Sequence, residues 1–223
     1  MVDRVGEEIR NETLRLGRHD RIRGQCRVVD CTIQIADPRS VTLFCSTFQR
    51  CTIDVLKVRT GYRNPWAGCF FDSCTFKGKY YDCYFGEASN FCSLQPGLRG
   101  CDFSQATLNL CSYFNCAPED LQLPRWPHVT IFRPREHADD AADFAGDPLL
   151  KWIHVSMGNT SPVVVGITYH LPSYLRQSRS SIRKHWELEK LLAQARSEPP
   201  PPEPELSLES MRELMLTKPF VFL

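Results

Sequence analysis

Residues 101–123 divide into five-residue words: Cys101-Asp102-Phe103-Ser104-Gln105, Ala106-Thr107-Leu108-Asn109-Leu110, Cys111-Ser112-Tyr113-Phe114-Asn115, Cys116-Ala117-Pro118-Glu119-Asp120 and the opening of a fifth, Leu121-Gln122-Leu123. In the first three words a small residue is followed two positions later by a large apolar one. A period of five matches neither the 3.6 of a helix nor sustained strand alternation. It predicts a chain that turns a corner every five residues and points one small and one large side chain inward per side. Four such sides make a coil of about twenty residues, a repeat length typical of solenoids.

The same phase appears upstream. Cys31-Thr32-Ile33, Cys51-Thr52-Ile53 and Cys74-Thr75-Phe76 repeat one tripeptide type, and an apolar residue stands three before each cysteine, at Val28, Phe48 and Phe71. The longer spacing between residues 51 and 74 has a visible source in Gly61-Tyr62-Arg63-Asn64-Pro65-Trp66, whose turn residues predict a loop pushed out of the coil wall. The repeat loosens between residues 79 and 100 and is regular again from Cys101.

These words resemble the pentapeptide-repeat proteins, whose pattern is Ala or Cys, a polar residue, Leu or Phe, then two polar residues. The resemblance implies a right-handed, four-sided β-helix. Its inward large positions would be Ile33, Phe48, Ile53, Phe71, Phe76, Phe103, Leu108 and Tyr113. Its inward small positions would be Cys31, Ser46, Cys51, Cys69, Cys74, Cys101, Ala106 and Cys111. The 23-residue coil, cysteine in place of most of the family's alanine, and a C-terminal third without repeat depart from that pattern. The expected fold is therefore mainly β: an irregular right-handed parallel β-helix with a C-terminal α/β appendage.

The expected organisation is a polar N-terminal cap at 1–19, then a β-helix of four to five coils at 20–123. An α/β appendage follows at 124–198, a proline-rich linker at 199–205, and a short helix with an apolar tail at 206–223. Within the appendage, His128–Phe132 and Val163–Tyr169 read as strands, and Leu149–Val155 is ambiguous between helix and strand. Ser173–Glu198 reads as a helix with an apolar side (Ile182, Trp186, Leu188, Leu191, Leu192) and a basic first half. The tail Phe220-Val221-Phe222-Leu223 is too apolar to stand in water and should dock on the body.

Charge bounds the function. The chain carries 27 Lys+Arg against 26 Asp+Glu, a formal net charge of +1. That balance shows neither the basic surplus of a phosphate-backbone binder nor the acidic surplus of a DNA mimic. The N-terminus has no signal-peptide core and no run suits a membrane span, so the expectation is a cytoplasmic protein with no membrane partner. Eleven cysteines, never closer than five apart, form no Cys-x-x-Cys knuckle. Reduced cysteine is a small hydrophobe suited to a narrow interior, and no metal or cofactor is expected.

Enzyme signatures are scarce. There is no phosphate-binding loop, no His-Glu-x-x-His and no Gly-x-Ser-x-Gly. His137 beside Asp139 and Asp140 could form an acid–base or metal cluster, but such a run more often lies on a solvated loop. The expected function is non-enzymatic protein–protein interaction, by analogy an immunity, antitoxin or assembly-adaptor protein of a bacterial type. The alternatives are a carbohydrate-acting β-helix enzyme and a nucleic-acid binder or DNA mimic. Tyr62, Arg63 and Trp66 are the first candidate partner-binding residues, because Trp, Tyr and Arg are enriched at interface hot spots. Arg179, Arg183 and Lys184 on the long helix are the second.

Overall fold

The five-residue words become the sides of a parallel β-solenoid. The structure, a computed structural model, describes residues 1–36, 41–57, 66–147, 150–201, 203 and 207–223. Its first coil comprises β1 (Asp3–Val5), β2 (Glu8–Arg10) and β3 (Thr13–Leu16), and its second β4 (Arg21–Arg23), β5 (Arg27–Val29) and β6 (Thr32–Ile35). The third comprises β7 (Thr42–Phe44), β8 (Thr47–Gln49) and β9 (Thr52–Val55). Next come β10 (Phe70–Asp72), β11 (Thr75–Tyr81) and β12 (Tyr84–Phe85), then β13 (Gly97–Arg99), β14 (Cys101–Asn109) and β15 (Cys111–Phe114). A short β16 (Leu121–Gln122) covers the outer edge of β14.

Each coil pairs in parallel with the one before it. Ile9, Val28, Phe48, Phe71 and Leu98 thereby form one inward column, and Leu14, Ile33, Ile53 and Phe76 another. Every position that the family resemblance points inward is buried. Phe103 continues the second column by stacking on Phe76 with ring centroids 4.3 Å apart. Aromatic stacking of this kind fills the wider later coils, where Phe85 also meets Phe76, Phe103 and Tyr113.

The corners explain the period. Asn11, Asp30, Arg50, Ser73 and Gly100 occupy one corner column, and all have φ between 51° and 58°. A left-handed residue turns the chain sharply between two extended sides, and it is uncommon outside glycine. Bidentate pairs bind neighbouring coils outside the corners: Arg23 to Asp3, Arg50 to Asp30 and Arg99 to Asp72.

One expectation needs correction. Residues 1–19 are not a separate cap. β1, β2 and β3 pair in register with β4, β5 and β6, and Ile9, Leu14 and Leu16 enter the common core, so the solenoid begins at Asp3. The exposed edge of this first coil is protected by its short strands and by charged residues such as Arg4, Glu8, Arg10 and Arg15. The expected C-terminal α/β appendage is present and is built onto the solenoid wall. β18 (Val164–His170) runs antiparallel to β15, β17 (His128–Phe132) lies beyond it, and β19 (Val221–Phe222) forms the far edge, giving a sheet ordered β12-β15-β18-β17-β19.

Three helices pack against this extension: α1 (Leu150–Asn159), α2 (Leu171–Ala195) and α3 (Leu208–Leu216). A second core gathers around Val129, Ile131, Phe144, Ile153, Met211 and Met215. The apolar tail docks as expected of it: Phe220 is buried and stacks on His137, with centroids 4.4 Å apart. A buried hydroxyl chain joins the two cores, from Tyr113 to Thr168 at 2.8 Å and from Thr168 to Thr130 at 2.6 Å. His128 adds a further tie, its Nε2 accepting the Leu108 amide at 3.2 Å.

Among the described residues, no helix is long and apolar enough to cross a membrane.

Candidate interaction surface

The sequence candidates separate into three groups. Tyr62 and Arg63 lie outside the described residues. Trp66 is 0% exposed, so its placement as an exposed anchor is overturned. Its indole stacks on Phe85 at 5.3 Å and meets Tyr80 at 5.8 Å. The reason is local: the turn at residues 66–68 is part of the wall, where Ala67 O accepts the Cys45 amide and the Gly68 amide donates to Glu87 O. The indole therefore fills the coil interior.

Arg179, Arg183 and Lys184 are all exposed on α2. This helix changes character along its length. Leu171, Tyr174 and Ile182 are buried against the body. Farther along, Leu188, Leu191 and Leu192 are 53%, 61% and 39% exposed, at spacings that put them on one side of the helix. An apolar stripe at helical spacing ordinarily faces a core. Here the solenoid does not reach it.

The helix end is nevertheless well formed. Ser197, at φ 58°, ends it in the left-handed region, Glu198 N–H donates to Ala193 O at 2.9 Å, and Ser197 N–H donates to Gln194 O at 3.1 Å. This is a Schellman closure with serine in the position glycine usually takes. The chain then folds back, and Trp186 Nε1 donates to Pro201 O at 3.2 Å. Lys190 lies over the same indole at 5.1 Å. The returning segment thus covers the Trp186 side of α2 and leaves the leucine side open.

A cleft of about 710 Å3 lies beside the helix base, between the β15–β18 wall and the end of α1. Phe114, Ile167 and Tyr169 contribute to its lining, with Ser156 and Ser161 from the α1 side and Asp82 and Glu87 from the fourth coil. A smaller cleft of about 330 Å3 shares Leu110, Ser156 and Tyr169 and reaches Trp152 and Gln177.

The histidines nearest these elements are structural. His128 is held between Leu108 N–H and Arg125 O, and burial pushes its imidazole down to about 4. His170, 4.7 Å away ring to ring, is lowered by the same cause and by the nearby Arg176 and Lys79. His137 does pair with Asp140 at 2.9 Å, but Phe220 covers its ring face. Among the described residues, no three His, Cys, Asp or Glu side chains converge as metal ligands.

The outer wall is chemically mixed. Thr13, Thr32, Thr52, Thr75 and Asp102 align in one outward column, and Arg15, Gln34, Asp54 and Lys77 in the next. Neither column gathers carboxylates in the pattern that glycoside chemistry needs. No protein-family model, no curated protein and no solved structure matches the chain.

Proposed function

We propose that this chain is a non-enzymatic protein-binding module, and that its contact face is the outer half of α2. The observation that carries this is the uncovered stripe of Leu188, Leu191 and Leu192 on a helix that is otherwise well anchored. The solenoid's role is to hold that helix rigidly, which lowers the ordering cost of association. The five-residue phase and the burial of its small and large positions support reading the solenoid as the pentapeptide-repeat type.

The partner is a protein with an apolar groove to receive the leucines, the helix-in-groove mode of recognition. Arg179, Arg183 and Lys184 stand exposed before the stripe, so the groove should carry acidic residues at one end. Even charge over the whole chain, +1 in total, favours a protein over a nucleic acid.

A photo-crosslinking residue placed at Leu191, and a control at Thr52 on the solenoid wall, tests this. The expected result is a specific protein adduct at position 191 alone. Binding of that protein should then fall at least about 100-fold in Leu188→Asp/Leu191→Asp, since two anchors commonly contribute about 2 kcal/mol each. An adduct at position 52 alone, or undiminished binding by the double variant, overturns the reading.

A further inference from the structure

Of the eleven cysteines, nine are buried, and only Cys92 and Cys116 are partly exposed. Cys92 belongs to the segment 86–96, which lengthens the fourth coil so that 27 residues separate Phe71 from its column neighbour Leu98. Both ends of that segment are fixed by close backbone approach. A Cβ at Gly86 would stand 2.3 Å from Phe114 O, and one at Gly97 2.6 Å from Asn115 O. Between those anchors the segment crosses the turn at Gly68, where Cys92 Sγ donates to Gly68 O at 3.4 Å.

The third coil meets it there. Cys45, in a left-handed corner at φ 48°, directs its thiol to Phe91 O at 3.9 Å. The two sulfurs lie over the same glycine: a Cβ on Gly68 would stand 3.1 Å from Cys92 Sγ and 3.3 Å from Cys45 Sγ. The thiols are also within hydrogen-bonding reach of each other. Cys51 with Cys74 and Cys83 with Cys111 are neighbouring pairs too, but all four thiols are buried in the core. Among the described residues, the pair at Gly68 joins adjacency to access.

We propose that Cys45 and Cys92 are a thiol-oxidation site that closes to a disulfide by exchange with a small-molecule disulfide. The half-exposed Cys92 loses its proton to solvent, and its sulfur attacks one sulfur of the reagent. That forms a mixed disulfide and expels one thiolate, which takes up a proton. Cys45 then gives up its proton and attacks the Cys92 sulfur. The Cys45–Cys92 bond forms and the second reagent thiolate leaves. Two protein thiols are oxidised and one reagent disulfide is reduced to two thiols. The second step is the slower one, because burial and the adjacent sulfur push the Cys45 thiol up to about 12.

The disulfide would fasten the middle of segment 86–96 to the third coil. Glu87 and Ala88 line the larger cleft, and Leu94, Gln95 and Pro96 line another of about 660 Å3 on the segment's other flank. Oxidation thereby fixes the wall that two clefts share.

The test is incubation of the native protein with oxidised glutathione at mildly alkaline pH, then alkylation, intact mass and peptide mapping. It is run in a Cys116→Ser background to remove the other accessible thiol. The expected product has lost two hydrogens and carries a 45–92 crosslink that dithiothreitol reverses. Cys45→Ser should stop at a glutathione adduct on Cys92, and Cys92→Ser should leave residue 45 unmodified. Gly68→Ala keeps both thiols but displaces Cys92, so it too should accumulate the adduct, with the far-UV spectrum confirming the fold. Chymotrypsin should cut after Phe91, which is 89% exposed, at least several-fold more slowly in the oxidised form. A parent protein that stops at the glutathione adduct, or a crosslink between another pair, overturns the assignment.

Discussion

His128 on β17 accepts the backbone hydrogen of Leu108 through Nε2 at 3.2 Å, so a side chain from the C-terminal extension completes the hydrogen bonding of the last coil. Its Nδ1 faces Arg125 O at 3.2 Å, which fixes the proton there and requires a neutral ring.

Acid should therefore loosen this junction first. The folded-state value of about 4 lies below the ordinary 6.5, so the unfolded chain takes up a proton the folded chain refuses. Stability is fully present above pH 6.5 and declines as pH falls toward 4, by roughly 3 kcal/mol. His170 contributes in the same direction. In His128→Gln the larger part of that slope should vanish, as read by urea denaturation across the pH range. An unchanged slope would show that the ring is protonated in the fold.

The carboxylate of Asp72 predicts a second acid effect through the opposite case. It receives Arg99 at 2.7 and 3.1 Å and Gln49 at 3.2 Å, and Arg99 holds its carboxyl below the usual carboxylate range. The stabilisation is present above about pH 4 and is lost as pH falls through the lowered folded value. Asp72→Asn should cost about 1–2 kcal/mol at pH 7 and much less near pH 3.

Phe103→Asp should abolish soluble folding, because it sets an unpaired charge against Phe76, Phe85 and Tyr113. The cost is several kcal/mol, comparable with a domain's whole margin. Asp102→Asn, one residue away on the outer face, should shift the melting temperature by only a few degrees at most. Equal effects at the two sites would contradict the inward phase.

Trp66→Ala should destabilise by about 3–5 kcal/mol, the range for emptying an aromatic core site. Binding of a partner through α2 should survive in the fraction that remains folded. A variant with wild-type stability would place the indole outside the core.

Thiol titration of the reduced native protein should find one fast group, Cys92, then a slower Cys116, whose thiol burial and the nearby Cys101, Asp120 and Glu119 push up to about 12, and the other nine only after denaturant is added.

The sequence legibly carried the inner columns, since Cys-Thr-Ile and its variants recur at coil spacing and each inward position so read is buried. The first coil is hard to read in the sequence because its words place Ile9 and Leu14 among charges and contain no cysteine. Gly6 and Asn11, five apart and both left-handed, were the available signal, but only backbone angles reveal them as corners. Trp66 shows a different limit. Turn residues and extra length predict an insertion, while composition does not say which of its aromatic residues packs inside. The leucines of α2 were recognisable as an apolar side, yet periodicity alone says nothing about whether a body lies opposite. That depends on where the solenoid ends.

The antiparallel closure of the last coil has a consequence for synthesis. A chain leaving the ribosome can stack each coil on its predecessor as soon as both have emerged, because every parallel partner lies only 18 to 28 residues back. β15 breaks that rule: its outer partner is Val164–His170, made some fifty residues later. Throughout that interval the growing end displays an open strand with unsatisfied amides, the kind of edge through which nascent β-proteins join one another. Translation speed between residues 115 and 164 should therefore set how much of the unaltered chain is lost to edge-to-edge association during synthesis.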